Sequence, residues 1–318
     1  MDYLSAVLGQ DKTVNNLRKA MKKGSISHAY LFIGPEGVGK MFTAKMWAYS
    51  LICESDRDAH IYLKEGIHPD LLIIEKEENK TVITKDSIVR DLEPWLALKP
   101  YRSKYRIAII RDAHLLSIEA ANALLKTLEE PPFYAVIVLV ADENSLLQTI
   151  VSRCQLVRFS PLSNKIVKDF LMDQKVSEEK AAEIAELAQG SLTYALKFAK
   201  EDLFEHWQAV LSIITGLSLE GEAYVFEAAE KMEADPYLIV RMLQMIIRDI
   251  LIYDSTGKEE LLVSKNSIDV FKLLKGVNRE GLRKAIDKIN ELKSYYWRNV
   301  NSLIININIC YAIKNALD

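Results

Sequence analysis

The sequence predicts an α/β domain with a parallel sheet followed by helical domains, and three observations lead to this fold class. Short apolar runs alternate with helical patterns over the first half of the chain, as in consecutive βαβ units. A glycine-rich loop lies between the first apolar run and a helical segment. Beyond Pro161 the strand-like runs end, and helical spacing continues to the C-terminus.

Five apolar runs account for the predicted sheet. They are continuous and rich in β-branched residues, which is typical of strands that are buried on both faces of a parallel sheet. The predicted strands are Ala29–Ile33, Leu71–Ile74, Arg106–Ile110, Tyr134–Ala141 and Leu156–Phe159. Right-handed crossover connections are expected between parallel neighbours.

The predicted helices are bounded by capping and breaking residues. Ser117 can cap a helix that Pro131–Pro132 ends, because proline cannot continue the helical hydrogen-bond ladder. Ser177 can cap a later helix, which Gly190 is expected to end. The segment 305–309 alternates with period two like a strand, but over a longer window its apolar residues return to helical spacing. A helix is therefore predicted there.

The composition excludes several classes of protein. Of the 318 residues, 49% are hydrophobic and 27% are charged, which is typical of chains that build packed cores. The net charge of −3 argues against a uniformly basic coat, and three cysteines cannot build a disulfide framework. No apolar run reaches the ~18 residues of a membrane span, and the N-terminus lacks a signal-peptide core. A cytoplasmic protein is expected.

The most specific local motif is the loop Gly-Pro-Glu-Gly-Val-Gly-Lys at 34–40. It has the G-x-x-x-x-G-K spacing of a phosphate loop and stands between a predicted strand and a predicted helix. Its glycines allow backbone N–H groups to surround an anion, and the helix N-terminus adds positive potential. This context favours phosphate-loop ancestry over a turn that only joins strand to helix. The candidate nucleotide-binding residues are Gly34, Gly37, Gly39 and Lys40.

Two residues make this loop unsuited to magnesium. The residue after Lys40 is Met41, where active phosphate loops carry a hydroxyl that binds Mg²⁺. After the third strand, Arg111 stands where an acid should hold the metal, and only Asp112 remains. A cation at that position repels Mg²⁺. We therefore predict no bound metal and little or no hydrolysis of Mg·ATP by this chain alone.

Four further motifs carry a resemblance to a known family. Ser-His-Ala-Tyr-Leu-Phe precedes the phosphate loop at 27–32, and His-Pro-Asp stands at 68–70. Ala-Ala-Asn-Ala-Leu-Leu-Lys-Thr-Leu-Glu-Glu-Pro-Pro follows at 120–132, and Ser-Arg-Cys at 152–154. In this order, the motifs resemble those of the AAA+ clamp-loader family of DNA replication. The resemblance covers residues 1–200 and rests beyond them mainly on the domain layout.

The sequence patterns change near residues 160 and 205, and the resemblance implies a role for each part. Residues 1–160 correspond to a RecA-like AAA+ domain with a degenerate phosphate loop. Residues 161–205 correspond to a small helical lid domain. Residues 206–318 correspond to a helical collar domain through which the subunits oligomerise.

The resemblance also implies partners and a shared ATP site. Clamp loaders of this family are circular assemblies of five subunits with ATP at the interfaces, and the arginine of Ser-Arg-Cys reaches the neighbour's nucleotide. Arg153, next to Ser152, matches that arginine finger. The alternative is an arginine that only pairs with a surface acid. The implied partners are the tau/gamma and delta clamp-loader subunits and, through the complex, the sliding clamp and primed DNA.

Other positions of the family pattern are altered. The residue that senses the γ-phosphate in active relatives corresponds to Ala141, and the arginine of the lid pattern corresponds to Thr193. Together with Met41 and Arg111, four parts of an ATPase site are changed, whereas Arg153 is kept. This pattern predicts a stator within the DNA polymerase III holoenzyme that requires no cofactor and has no ATPase activity of its own. Weak ATP binding without hydrolysis stays open as an alternative, because the glycines of the phosphate loop are present.

Two rival functions are also compatible with a phosphate loop. The first is an active AAA+ ATPase motor of the tau/gamma type, which the four altered positions argue against. The second is an unrelated phosphate-loop kinase or nucleotide sensor. The long motif at 120–132 and Arg153 argue against it.

The sequence also bears on zinc binding and on direct DNA contact. Relatives often carry four zinc-binding cysteines before His-Pro-Asp, but this segment holds Cys53 and His60, and His68 brings the ligands only to three. Because structural zinc normally takes four ligands, no zinc is expected. The stretch Lys99–Arg106 interleaves four cations with two tyrosines. It can contact a phosphate backbone or form a solvated loop, and the loop is favoured.

Overall fold

The computed structural model describes residues 2–142, 146–200, 203–263, 268–273, 278–297 and 300–317. Packing divides the chain into two compact units, Met1–Lys197 and Phe198–Asp318. The first unit contains a parallel sheet with helices, and the second is helical. The predicted fold class, an α/β domain with a parallel sheet followed by helical structure, is confirmed. The finer division at residues 160 and 205 stays a prediction.

The sheet contains five strands in the order β2-β3-β4-β1-β5, and every neighbouring pair is parallel. The strands are β1 (Ala29–Ile33), β2 (Leu71–Ile74), β3 (Arg106–Ile110), β4 (Ala135–Ala141) and β5 (Gln155–Arg158). All five were predicted, and their bounds differ from the prediction by at most one residue. Ile33 pairs with Ala141, so β1 and β4 end at the same edge of the sheet.

Helices connect the strands of the first unit and continue after β5. Their bounds are α1 (Asp11–Lys23), α2 (Lys40–Cys53), α3 (Ala59–Glu65), α4 (Glu93–Ala97), α5 (Ile118–Glu129), α6 (Gln148–Val151), α7 (Asn164–Asp173), α8 (Glu178–Ala188) and α9 (Leu192–Lys200). The predicted cap is confirmed at α5, where Ser117 Oγ accepts a hydrogen bond of 3.1 Å from the Ala120 N–H. The predicted end at Pro131 is confirmed as well.

Alternate residues of the central strands face two different cores. Leu31 of β1 packs in one core with Ala108 and Leu139. The next residue, Phe32, packs in the other core against Trp47 of α2. Because successive side chains of a strand point to opposite faces, a strand covered on both faces needs apolar residues at every position. This requirement explains the continuous apolar runs in the sequence.

The second unit is built from helices. They are α10 (Leu203–Leu219), α11 (Tyr224–Met232), α12 (Pro236–Thr256), α13 (Ile268–Leu273), α14 (Arg279–Lys293) and α15 (Ser302–Leu317). The segment 305–309 lies within α15, so the predicted helix is confirmed. Ile305 and Ile309 are buried one helical turn apart, and buried Asn306 donates to the carbonyl of Ala229 at 3.3 Å. Within the described residues, no helix combines the length and apolarity that a membrane crossing needs.

Candidate functional site

The phosphate loop lies where ligand sites form in parallel α/β sheets. It begins directly after β1 and leads into α2 at Lys40. Asp112 follows β3 and Asp142 follows β4 at the same edge of the sheet. Ligands of such folds bind outside the carboxyl ends of the strands. The structure therefore brings together the predicted loop residues and the acids of two neighbouring strands.

Lys40 is buried and bound by its own chain. Its side chain is 4% exposed, and Nζ forms an ion pair of 2.7 Å with Asp142 Oδ1. Nζ also donates to the carbonyl oxygens of Gly34 at 2.7 Å and Pro35 at 2.5 Å. An ammonium group has three N–H donors. These three oxygen atoms can therefore use the whole donor capacity of Lys40.

The first turn of α9 contacts the phosphate loop. The N–H of Leu192 donates to the carbonyl of Gly37 at 2.9 Å, and the hydroxyl of Tyr194 donates to Glu36 Oε2 at 2.9 Å. We call these two hydrogen bonds the latch. Gly37 has φ +76°, and a Cβ at this position would overlap Ser191 Oγ. Glycine is required here both by the backbone conformation and by the close approach of α9.

The start of α2 offers little to a hard cation. Met41 is partly buried and packs against the core that contains Trp47. Thr43 is fully buried, and its hydroxyl donates to the carbonyl of Gly39 at 2.8 Å. Methionine has no oxygen ligand for Mg²⁺, and the threonine hydroxyl is directed back into its own helix.

Arg111 and Asp112 form the second half of the predicted site. Arg111 is half exposed and pairs with Glu75 Oε2 at 3.1 Å and with Asp112 Oδ2 at 3.4 Å. Burial raises the pKa of Asp112 above its ordinary value, the charge of Asp142 adds to the increase, and Arg111 opposes it. Asp112 has φ +50°, a left-handed conformation that aspartate and asparagine tolerate better than most residues.

Three side chains at this edge have the chemistry of metal ligands. Ligand atoms of Asp112, His114 and Asp142 all lie within 4.8 Å of one another. However, Asp142 is paired with Lys40, and Asp112 is paired with Arg111. Two cations in contact with the carboxylates oppose the binding of a divalent ion by like-charge repulsion.

The two residues that the resemblance places at sensor positions, Ala141 and Thr193, both lie beside the phosphate loop. Ala141 is the last residue of β4 and is buried beside Ile33, the residue that precedes the loop. Thr193 stands in the first turn of α9, where its side chain is close to Gly37. The structure thus brings both positions to the loop, but their side chains carry neither a charge nor the reach of an arginine.

Arg153 lies at the amino ends of the parallel strands, away from the phosphate loop at their carboxyl ends. It follows α6 and precedes β5, whereas the phosphate loop follows the carboxyl end of the parallel neighbour β1. The four residues of β5 span about 10 Å. Arg153 and the phosphate loop of one chain therefore lie at opposite ends of the parallel strands, and the structure does not bring them together.

Arg153 is held by two contacts within its own chain. Its side chain is 34% exposed, and Nη2 lies 2.6 Å from Glu129 Oε1, at the end of α5. Nη1 donates to the carbonyl of Thr149 at 2.9 Å. The hydroxyl of the exposed Ser152 donates a hydrogen bond of 3.0 Å to the same carbonyl oxygen. Cys154 packs against the core, and burial raises the pKa of its thiol to about 11.

The His-Pro-Asp motif forms part of a buried polar network. His68 Nε2 contacts Asp56 Oδ2 at 3.2 Å, and its Nδ1 accepts from the N–H of Asp70 at 3.1 Å. Arg102 binds both oxygens of Asp56, at 2.6 and 3.1 Å. These hydrogen bonds from Arg102 are the main reason that the pKa of Asp56 lies below its ordinary value. Both nitrogens of His68 are thus engaged by protein groups.

The basic stretch before β3 is largely committed to structure. Arg102 belongs to the Asp56 network, and Arg106 is buried over the ring of Trp95 at 4.2 Å. Arg106 also donates to the carbonyls of Leu98 and Lys99 at 3.2 and 2.9 Å. Of the four cations of this stretch, two therefore serve internal contacts. This arrangement agrees with a loop more than with a surface for phosphates.

Four residues that pair with the predicted site residues or hold the loop were not predicted in these roles from the sequence. They are Glu36, Glu129, Asp142 and Tyr194. Asp142 had a usable signal, because it directly follows β4, and parallel strands end at a common edge. Tyr194 and Glu36 meet over 158 positions of sequence separation. No local pattern reports such a contact.

Known proteins resemble this chain over the same regions. Residues 9–163 match a family described as DNA polymerase III, delta subunit. The DNA polymerase III subunit delta' of Bacillus subtilis is 28% identical over 312 residues, covering 92% of this chain and 92% of that protein. Subunit tau of the same organism is 28% identical over 326 residues, covering 90% of this chain but only 56% of tau. Subunit delta' of Pseudomonas aeruginosa is 37% identical over 137 residues, covering 40% and 42%.

Solved structures also align with the chain. A DNA polymerase III gamma subunit-related protein from Thermotoga maritima aligns over 95% of this chain and 99% of that chain, with 19% identity and a TM-score of 0.42. The RuvB branch migration motor of the same organism aligns over 80% of each chain, with 15% identity and a TM-score of 0.44. In its sequence matches and its motifs, the chain is similar to DNA polymerase III subunits delta' and tau over most of its length.

Proposed function

We propose that this chain is the delta'-like stator of a bacterial replicative clamp loader. It assembles with motor subunits through its helical C-terminal region, donates Arg153 to a neighbour's ATP site and helps to load the sliding clamp on primed DNA. The observation that carries the proposal is the contrast between two cations. Lys40 is buried and bound by three oxygens of its own chain, whereas Arg153 is partly exposed at the opposite edge of the sheet.

The phosphate loop supports a subunit without ATPase activity. Phosphoryl transfer needs a lysine that cradles the phosphates and a metal held by a hydroxyl and an acid. Here Lys40 is engaged by Asp142, while Met41 and Arg111 occupy the hydroxyl and acid positions. The stator requires no metal or nucleotide of its own. It binds ATP weakly at most.

The position of Arg153 supports action in trans. Arg153 lies at the opposite end of the strands from its own phosphate loop and does not contact that loop. Its partly exposed side chain can instead reach a nucleotide on an adjoining subunit. A guanidinium supplied in this way stabilises the charge of the transferring phosphate and raises the rate by ~10³–10⁵. Ile150 and Cys154, which pack in the core on either side, fix the turn that carries Arg153.

The names of the relatives support the partners. Delta' and tau subunits of DNA polymerase III match most of this chain. We therefore assign tau/gamma and delta subunits as direct partners and the sliding clamp and primed DNA as partners of the assembled complex. In this role the chain is a part of the DNA polymerase III holoenzyme rather than an enzyme in its own right.

The second candidate function is an ATPase motor of the tau/gamma type. It is favoured by the match to Bacillus subtilis tau, whose identity of 28% equals that of delta'. Met41, Arg111, Ala141 and Thr193 argue against it, because each removes a group that acts on Mg·ATP in such motors.

The test is an ATPase assay on the complex reconstituted with tau/gamma, delta, clamp and primed DNA. The measured quantity is the increase in rate when this chain is added. We expect Arg153→Ala to reduce that increase at least tenfold. Lys40→Met, which keeps most of the packing volume, is the matched control and should leave the increase within about twofold.

The two candidate functions predict opposite results. A motor loses its contribution in Lys40→Met and shows Mg·ATP hydrolysis as an isolated chain. A stator loses its contribution in Arg153→Ala and is inactive alone. An unchanged rate with Arg153→Ala, in a complex that still assembles, would refute the stator with an arginine finger.

A further inference from the structure

Arg153 is held from two sides by elements that are themselves fixed. Glu129 ends α5, where the preceding Leu128 is buried in the core. Thr149 belongs to the short helix α6, which buried Ile150 anchors in the same core. Both acceptors therefore have rigid backbone positions. A guanidinium bound to a carbonyl and a carboxylate on two packed elements has fewer accessible rotamers than a free surface arginine.

The two contacts leave most of the guanidinium available. Arginine has five N–H donors in a planar fork. The bond from Nη2 to Glu129 and the bond from Nη1 to Thr149 use two of them. The side chain is 34% exposed, so the remaining donors can meet an acceptor from outside the chain. This geometry suits a group that is held in place while it binds a phosphate oxygen.

Glu129 is unfavourably placed for helix stability. It is the last residue of α5, and the exposed Glu130 follows it. Acidic side chains are disfavoured at a helix C-terminus, because the helix dipole is negative there. An exposed ion pair also contributes little to folding. The presence of an acid at this position therefore calls for a reason other than the stability of α5.

We propose that Glu129 is a positioning residue that orients Arg153 for the neighbouring ATP site. The proposal rests on the proposed function, since it requires Arg153 to act in trans. Glu129 touches neither nucleotide nor reacting atoms. It accepts from Nη2 and, together with the Thr149 carbonyl, keeps the free edge of the guanidinium in one orientation. Preorganised donors of this kind stabilise a transition state without reorganising during the reaction.

The experiment is a double-mutant cycle in the reconstituted complex. The ATPase rate that the chain adds is measured for wild type, Glu129→Ala, Arg153→Ala and the double variant, with Mg·ATP, clamp and primed DNA. We expect Glu129→Ala to lower the added kcat about tenfold with little change in KM for ATP. On the Arg153→Ala background, Glu129→Ala should cause no further loss.

Two matched variants separate positioning from a structural effect. Glu129→Gln retains an oxygen acceptor for Nη2 and should keep the added rate within about threefold of wild type. Glu130→Ala removes the adjacent exposed acid and should leave the rate unchanged. Gel filtration of each complex confirms that assembly is intact.

Each other outcome overturns the proposal. An equal loss from Glu129→Ala with and without Arg153 indicates a structural role, and a higher rate indicates that Glu129 competes with the nucleotide for Arg153. If Arg153→Ala reduces the rate but Glu129→Ala does not, only the positioning role fails. If Arg153→Ala has no effect, the proposed finger fails and the positioning role fails with it.

Discussion

Lys40 and Arg153 are both cations that pair with a carboxylate of their own chain, yet their surroundings differ. Lys40 is 4% exposed and has three oxygen partners from the phosphate loop and Asp142. Arg153 is 34% exposed and has two partners. A ligand must replace all the partners of Lys40 in a buried site, but it can approach Arg153 without breaking either contact. Sequence motifs mark both residues, and their environment separates a structural cation from an available one.

The largest expected effect is on nucleotide binding. Asp142→Asn combined with Tyr194→Phe removes the charge that holds Lys40 and one bond of the latch. Hydrogen bonds to charged groups contribute about 1.5–3 kcal/mol, so we expect the affinity of the full chain for ATP to rise about 10–100-fold. Isothermal titration calorimetry with ATP measures this change.

A third substitution identifies the site of that gain. Adding Lys40→Ala to the same variant should return the affinity to the wild-type level, because the released ammonium is the group that binds phosphate. An affinity that does not rise in the double variant would show that the contacts of Lys40 do not limit nucleotide binding.

Substituting Lys40 should lower the stability of the fold more than substituting Arg153. Lys40→Ala leaves a carboxylate and two loop carbonyls without their donor and should lower the free energy of unfolding by about 1–3 kcal/mol. Arg153→Ala removes a partly exposed pair and should cost less than about 1 kcal/mol. Urea denaturation of the full chain measures both. Equal losses would contradict the contrast between a buried and an available cation.

The smallest expected effect concerns Asp112. Burial raises its pKa in the folded chain, so the unfolded chain releases the proton more readily. Above the folded pKa this difference destabilises the fold, and below the ordinary aspartate pKa of about 3.9 it vanishes. Asp112→Asn should therefore raise the melting temperature slightly at pH 7 and have no such benefit near pH 3.

Asparagine is a suitable replacement because it tolerates the positive φ of this position. Thermal unfolding at the two pH values tests the prediction. A lower melting temperature at pH 7 would mean that the contacts of Asp112 with Arg111 outweigh the cost of burying its charge.

Sequence reasoning predicted the sheet and the helix ends because their causes are local. Continuous apolar runs located five strands, and Ser117 and Pro131 marked the bounds of α5. The edge strand β5 was placed one residue late, at Leu156 instead of Gln155. Its two ends are exposed, so the apolar pattern has no sharp limit there. The phosphate loop was found for the same reason as the strands, since its glycines and lysine are consecutive.

The partners of the site residues could not be predicted in this way. Asp142 follows a strand whose neighbour in the sheet is distant in sequence, and Glu129 meets Arg153 across 24 positions. The Asp56 network joins the chain after α2 to the loop before β3, across 46 positions. Such contacts depend on the order in which the strands are arranged in the sheet. Many sequences share that strand order but do not have the same contacts between residues.

By itself, the sequence determined the α/β then helical architecture, the phosphate loop with Met41 and Arg111, and the Ser-Arg-Cys turn, because apolar periodicity and short motifs are written in consecutive residues. Only the tertiary structure decided that Lys40 is neutralised by Asp142 and that Arg153 is held by Glu129 at the other edge of the sheet. The physical reason is that burial and pairing depend on which distant segments meet, and that is fixed by the packing of strands and helices rather than by any local pattern.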